Sequence, residues 1–158
     1  MKPTPRLLYG AAVFVPLAAV AAALVSQHRF GMEPCPWCVL QRVVFLAIAL
    51  AALPGWLLTL RPVRLASSAL VVALAGCGAA AALWQHFVAA ASASCNLTLA
   101  DRIVGGLGLD RWQPEVFEAR ASCADAAVRL FGLPYEFWSL ALFVALALVA
   151  IKAALKVI

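Results

Sequence analysis

The residues of this chain with the greatest chemical potential are its five cysteines. Cys35 and Cys38 are separated only by Pro36 and Trp37, which makes a CxxC motif. A disulfide across two residues closes a very small loop, so it removes little chain entropy and stabilises a fold weakly. Redox exchange or metal binding by the two thiols therefore explains this pair better than a structural crosslink.

The other cysteines leave more than one interpretation open. Cys95 and Cys123 lie 28 positions apart, whereas zinc sites usually combine two closely spaced ligand pairs. Two alternatives nevertheless remain: a zinc site on the CxxC pair that Cys95, Cys123, His28 or His86 completes, and an ordinary structural disulfide between Cys95 and Cys123. The fifth cysteine belongs to a run of small residues in an apolar segment, which predicts close helix packing: Gly76, Cys77, Gly78 and Ala80.

The elements that must position these thiols are membrane helices. Hydrophobic residues make up 66% of the 158 residues and charged residues only 12%, against about 25% charged in soluble proteins. Four apolar stretches reach the roughly 20 residues that cross a bilayer, and alternating barrel patterns are absent. We therefore predict an all-α membrane protein, a single integral domain (1–158) with a four-helix transmembrane bundle, its spans at about 7–25, 39–60, 65–85 and 137–155.

The loop charges predict the orientation of these spans. The termini and the loop between the second and third spans carry six cations and no acid: Lys2, Arg6, Arg61, Arg64, Lys152 and Lys156. All seven acids lie in the other two loops, at about 26–38 and 86–136. The positive-inside rule puts the basic side in the cytoplasm and both of those loops outside. The net charge of +5 thus reflects topology, and nucleic acid is set aside as a partner. The first apolar run, 19 residues long, exceeds a usual signal-peptide core of about 7–15, so we expect a span there.

This topology places four cysteines, Cys35, Cys38, Cys95 and Cys123, on the outer side, where thiols tend to be oxidised. They can form two disulfides in three possible connectivities. Cys38 begins the second span, where the helix dipole favours a thiolate. Histidines stand at the outer ends of two spans, namely His28 and His86.

Arg42 follows Cys38 by four residues, one turn deeper on the same helix face. An arginine at mid-membrane costs about 2.5–3.5 kcal/mol and less near the end of a span, so we expect it to have a partner. A thiolate beside a reducible carbonyl ligand would be such a partner. Anchoring to lipid headgroups is the alternative.

The ordered set of these residues resembles the bacterial DsbB family of quinone-linked inner-membrane oxidases. The resemblance covers nearly the whole chain, with four spans in register. One departure is Gln41, which stands where some members carry an acid. The matching segments are Gln27-His28, Pro34-Cys35-Pro36-Trp37-Cys38, Arg42, Cys95, Leu109–Phe117, Cys123 and Gly132-Leu133-Pro134.

The resemblance implies a route for electrons and a pairing of the cysteines. A soluble periplasmic DsbA-like thiol oxidase, once reduced, would attack Cys95 of a Cys95–Cys123 disulfide. Electrons would then pass to the Cys35–Cys38 pair, with Cys35 exchanging between the two loops. The long second loop is expected to be mobile, because it has to serve both a partner protein and the first loop.

The resemblance also implies a cofactor and a location. Cys38 would reduce a membrane quinone, ubiquinone first and menaquinone as the alternative, beside Arg42 and with His86 as a further quinone-site residue. The protein would lie in the bacterial inner membrane with its redox loops in the periplasm. No metal is expected. The competing function is a non-enzymatic membrane scaffold with structural disulfides or a zinc site.

Overall fold

The structure is a computed structural model that describes residues 3–91 and 97–158. In chain order its elements are α1 (Pro5–Phe30), α2 (Pro36–Leu57), α3 (Arg61–Trp84) with a π-helical continuation (Gln85–Ala89), α4 (Leu99–Gly106), α5 (Leu109–Trp112), α6 (Pro114–Phe117), β1 (Arg129–Leu130), β2 (Leu133–Pro134) and α7 (Tyr135–Leu155). Four of the helices are long and apolar enough to cross a membrane. The predicted all-α membrane class and its four spans are therefore confirmed.

The four long helices form a closed bundle. Helix α2 packs against α1 and α3, and α7 packs against α3 and α1. In the centre the ring of Phe45 stacks on that of Phe143, with centroids 4.2 Å apart and an interplanar angle of 9°. Ile48 and Val71 are fully buried beside them. This apolar core fixes the helices whose outer ends carry the CxxC motif.

The small residues of α3 behave differently from the prediction. Gly78 is buried, and a Cβ atom there would lie 2.4 Å from the Phe143 ring, so this glycine does permit close packing. Gly76, Cys77 and Ala80, however, are exposed on the outside of the bundle. The prediction was wrong for those three, because neighbouring residues turn to different faces of a helix and cannot all meet one partner.

The connection between α1 and α2 is short and tightly defined. Helix α1 ends before Gly31, whose φ of 63° is the left-handed conformation that glycine tolerates at a helix C-terminus. Helix α2 begins at Pro36, since proline suits the first helical position. The CxxC motif thus sits directly on the first turn of a membrane helix.

The segment from Leu97 to Pro134, here called the outer loop, contains short elements rather than one long helix. Helix α4 starts with a capping box in which Thr98 and Asp101 satisfy each other's backbone N–H groups. Val104 and Phe117 pack against Val39 of α2, which attaches the loop to the outer end of the bundle. The two strands form an antiparallel hairpin that leads into α7. Cys95 lies outside the described residues.

Candidate active site

The CxxC motif is built around the N-cap of α2. The Sγ atoms of Cys35 and Cys38 lie 2.9 Å apart, so a disulfide bond of about 2.05 Å needs only a small movement. The backbone N–H of Cys38 donates to Cys35 Sγ at 3.3 Å. The helix N-terminus was expected to act on the Cys38 sulfur, but this hydrogen bond goes to Cys35, which is the capping residue.

The outer loop brings Cys123 to the same place. Cys35 is completely buried and Cys123 nearly so, in one cluster with Trp37 and Leu40. Hydrogen bonds to Cys123 and Cys38, together with burial, raise the pKa of the Cys35 thiol. The hydrogen bond from Cys35 in turn lowers the pKa of Cys123. The geometry therefore makes Cys123 the better nucleophile of the two and directs it at the Cys35 sulfur.

Two buried amides complete the environment of Cys38. Gln85 Nε2 donates to Cys38 Sγ at 3.2 Å, and Gln41 Nε2 donates to Gln85 Oε1 at 2.7 Å. Both glutamines are buried. Sequence reasoning missed Gln85, although a polar residue within an apolar span is itself a signal of function. The chain of amides orients an N–H donor toward the sulfur.

Arg42 is buried one turn below Cys38. Its Nη1 donates to Gln27 Oε1 at 2.8 Å and to the carbonyl of Val116 at 3.0 Å. The expected partner was a thiolate beside a ligand, whereas these hydrogen bonds connect α2 to α1 and to the outer loop. Arg42 therefore holds the outer loop as well as facing the thiol site.

A cavity of about 250 Å³ opens between α1, α2 and α7 beside Cys38. Its lining is mostly apolar, with alanine and valine residues of α1, Phe45 of α2 and Leu142 of α7, and its polar lining residues include Cys38, Arg42 and Glu136. Pockets of this kind, apolar with a few convergent polar groups, are typical of small-molecule sites. The arrangement can hold a flat, largely apolar ligand with its polar atoms near the sulfur.

His86 does not line this cavity but lies behind Glu136, which does. His86 Nδ1 is 2.7 Å from Glu136 Oε1, and the rings of Phe87 and Phe137 pack edge-on against the imidazole. Glu136 is only 6% exposed. The sequence analysis assigned Glu136 no role beyond that of an acidic loop residue, because its partner His86 lies 50 positions away in the chain.

Ion pairs of Glu115 at the surface connect the outer loop to the end of α1. Glu115 lies 3.1 Å from both His28 Nε2 and Arg120 Nη2. The backbone N–H of Arg120 donates to the Pro34 carbonyl at 3.0 Å, next to the CxxC motif. The hydrogen bond with His28 and the Arg120 charge lower the pKa of Glu115. His28 thus has a partner in the outer loop.

Within residues 3–91 and 97–158, no three His, Cys, Asp or Glu side chains gather as a metal-binding group. In the same described part of the chain, the buried side-chain nitrogen and oxygen atoms all have hydrogen-bond partners.

Comparison with known proteins gives a consistent result. The family model for "Disulfide bond formation protein DsbB" matches residues 5–153. A disulfide bond formation protein B from Ralstonia nicotianae is 30% identical over 99% of this chain and 98% of its own length. One from Aromatoleum aromaticum is 35% identical, with 92% and 91% covered. Disulfide bond formation protein B 1 from Pseudomonas aeruginosa is 33% identical, with 90% of each covered.

Proposed function

Because the chain belongs to the DsbB family of disulfide bond formation proteins, we propose that its outer cysteines carry electrons from a soluble DsbA-like dithiol protein to a membrane quinone. The chain is a multi-pass membrane thiol oxidase that generates disulfide bonds. The observation that carries the proposal is the position of Cys35, whose sulfur contacts those of both Cys38 and Cys123.

The first step exchanges a disulfide with the soluble partner. The two thiols of the reduced partner become a disulfide, while the Cys95–Cys123 disulfide is reduced to two thiols. Attack on Cys95 leaves Cys123 as the leaving group, and the lowered pKa of Cys123 favours its departure as a thiolate. Cys95 itself is assigned from the family resemblance.

The second step moves the electrons to the CxxC pair. Cys123 attacks Cys35, so that a Cys35–Cys123 bond forms while the Cys35–Cys38 bond breaks and Cys38 leaves as a thiolate. The N–H donor of Gln85 faces the sulfur that receives this charge. Cys95 then attacks Cys123, which restores the Cys95–Cys123 disulfide and releases Cys35 as a thiol.

The cavity beside Cys38 fits a quinone. Its apolar walls suit the ring and the start of an isoprenoid tail, and the Arg42 guanidinium supplies N–H donors for a carbonyl oxygen. When bound, a quinone supplies an acceptor for two electrons. Cys38 would face it and Arg42 would orient it, whereas His86, expected at the quinone site, does not line the cavity and would not contact the ring. We propose ubiquinone as the physiological quinone and menaquinone as the alternative.

The membrane and its sidedness belong to the same proposal. The basic termini and the Arg61–Arg64 loop would lie in the cytoplasm. The CxxC motif and the outer loop would then face the periplasm. An oxidising compartment on that side suits a disulfide-forming reaction.

The test separates the two half-reactions in the purified full-length protein reconstituted in nanodiscs. With a reduced DsbA-like protein as donor and ubiquinone-1 as acceptor, wild type should consume the quinone. Cys38→Ser should lose quinone reduction to background while disulfide exchange at Cys95 continues. Cys123→Ser leaves Cys95 as a free thiol, so this variant should instead attack the disulfide of the oxidised partner and form a mixed disulfide between Cys95 and the partner, which Cys123 can no longer resolve.

The matched control is Cys77→Ser, since Cys77 lies on the outside of the bundle away from the site, and it should keep wild-type turnover. Equal loss of both half-reactions in well-folded Cys38→Ser and Cys123→Ser proteins would contradict the proposal. It would favour structural cysteines in a membrane scaffold.

A further inference from the structure

The buried carboxyl of Glu136 has no part in the electron route described above. It lies at the outer start of α7, faces the cavity that contains Cys38, and pairs with His86 on the other side. We propose that Glu136 and His86 form a proton path that connects this cavity with the outer surface. The inference rests on the proposed function, because it concerns the protons that accompany the same electrons.

The chemistry of the reaction requires such a path. Oxidation of two thiols to a disulfide gives up two electrons and two protons, and reduction of a quinone to a quinol takes up both pairs. The step is therefore balanced, but the protons and electrons travel separately. Cys38 reacts as a thiolate and has already lost its proton, and the proton of Cys35 is released to the outer solvent when the disulfide forms again. Both protons of the quinol therefore have to reach the cavity through another group, one after the other.

The partner of Glu136 favours proton transfer over a purely structural role. A buried carboxylate kept for structure is usually neutralised by arginine or lysine, which hold their charge. Glu136 instead shares a 2.7 Å contact with an imidazole, and histidine gains and loses protons readily near neutral pH. A proton that leaves Glu136 toward the cavity can be replaced across this one hydrogen bond.

The proposed proton path reaches solvent at His86. The His86 side chain is 31% exposed, whereas that of Glu136 is 7% exposed. In the π-helical turn from Gln85 to Ala89, two consecutive side chains have different partners. Gln85 contacts Cys38, and His86 contacts Glu136. Such π-helical turns occur frequently at functional sites. The end of α3 would therefore serve the electron route with one residue and the proton route with the next.

Other ionisable groups on the cavity wall are less suited to the task. Arg42 stays charged under all ordinary conditions, and Glu33 is exposed at the cavity edge. Tyr135 is half-buried and also lines the cavity. Tyr135 is therefore the main competing donor, and the test includes it.

The experiment compares Glu136→Gln with wild type in nanodiscs, with ubiquinone-1 as the probe. Glu136→Gln should lower kcat for quinone reduction by about 100-fold, the lower limit of the usual contribution from general acid–base catalysis. The Kd for ubiquinone-1, measured by quenching of tryptophan fluorescence, should stay within about 3-fold, a margin below one tenfold step in affinity. The kcat of the variant should also show a larger solvent deuterium effect. Glu136→Asp, which keeps the carboxyl, should recover part of kcat and guards against misfolding of the glutamine variant.

His86→Ala tests the outer half of the path. It should slow turnover, and added imidazole should restore part of the rate, which a structural role would not allow. Glu118→Gln is the matched control, because Glu118 is an exposed acid of the outer loop that pairs with Arg120; it should keep wild-type kcat.

The outcomes separate this inference from the proposed function. If wild type itself fails to reduce ubiquinone-1, the proposed function is wrong. If wild type is active and Glu136→Gln keeps its kcat, or weakens only quinone binding, the proton path is wrong. Loss of kcat in Tyr135→Phe with wild-type kcat in Glu136→Gln would assign the proton to Tyr135 and overturn the proposal as well.

Discussion

The two cysteine-containing regions at one end of the bundle are held in place by different kinds of interaction. The CxxC motif is continuous with α2, its first cysteine caps that helix, and it is buried against apolar side chains. The outer loop is attached by two apolar contacts with α2, one at Val104 and Phe117 and one at Ala100 and Cys123, and by polar contacts near its surface. The CxxC motif is therefore fixed beside the cavity, and the outer loop brings Cys123 to it.

This difference suits the two tasks that we propose for the regions. A thiol that reduces a ligand in the membrane benefits from fixed geometry, since misplacement by about 1 Å can cost two orders of magnitude in rate. A thiol that serves both a soluble protein and a membrane site has to change partners. Exposed ion pairs contribute little to stability, so the contacts around Glu115 can hold the outer loop without preventing its release.

Arg42 connects the two regions, and among the contacts between them its removal should have the largest effect. Arg42→Ala loses donors at the cavity together with the hydrogen bond to the Val116 carbonyl. Charge-assisted contacts contribute about 1.5–3 kcal/mol, so we expect quinone use to weaken by about 10- to 100-fold. Arg42→Lys keeps the charge but not the planar guanidinium and should be intermediate. The measurement is the apparent KM for ubiquinone-1.

Hydrogen exchange of residues 114–121 in Arg42→Ala shows separately whether Arg42 holds the outer loop in place. It is measured alongside the kinetics. If Arg42 holds both regions, exchange in this segment should accelerate in Arg42→Ala. An unchanged KM with faster exchange would restrict Arg42 to holding the loop. Unchanged values for both would leave it as a headgroup anchor.

The position of the CxxC motif depends on close packing of the helices deeper in the bundle. Substitution of two glycines of α3 tests this packing. Gly78→Ala places a Cβ 2.4 Å from Phe143, and overpacking of this kind costs about 1–3 kcal/mol. Gly76 has nothing within 4 Å of the same position, and alanine favours helix. Gly76→Ala should therefore be neutral or slightly stabilising. Equal unfolding free energies of the two variants in detergent would contradict the packing of α3 on α7.

The spans and the CxxC motif could be predicted because their signals are local. Twenty apolar residues define a membrane helix regardless of its neighbours, and the spacing of Cys35 and Cys38 needs no knowledge of the fold. The helices are hydrophobic all round, however, so the sequence contains little information about which face meets which partner. For this reason the sequence analysis wrongly predicted that Cys77 packs against another helix.

The remainder of the site depends on contacts between distant parts of the chain. The hydrogen bonds from Gln85 to Cys38 and from Arg42 to Val116 join residues 47 and 74 positions apart. The Glu136–His86 pair likewise requires the start of α7 to meet the end of α3. Residue type identified Arg42 and His86 as candidates, but only the packing of the helices gives them these partners.

We expect the smallest effect from removal of the ion pairs of Glu115. The lowered pKa of this exposed carboxyl means that its contacts with His28 and Arg120 favour the docked loop. Their contribution is fully present above the ordinary carboxyl pKa of 4.5 and is lost as the pH falls through the lowered value. Glu115→Gln should therefore speed hydrogen exchange of residues 115–121 relative to wild type at pH 7, and the two proteins should converge in acid. A difference that persists well below pH 4, or none at pH 7, would mean that the charge of Glu115 does not hold the outer loop.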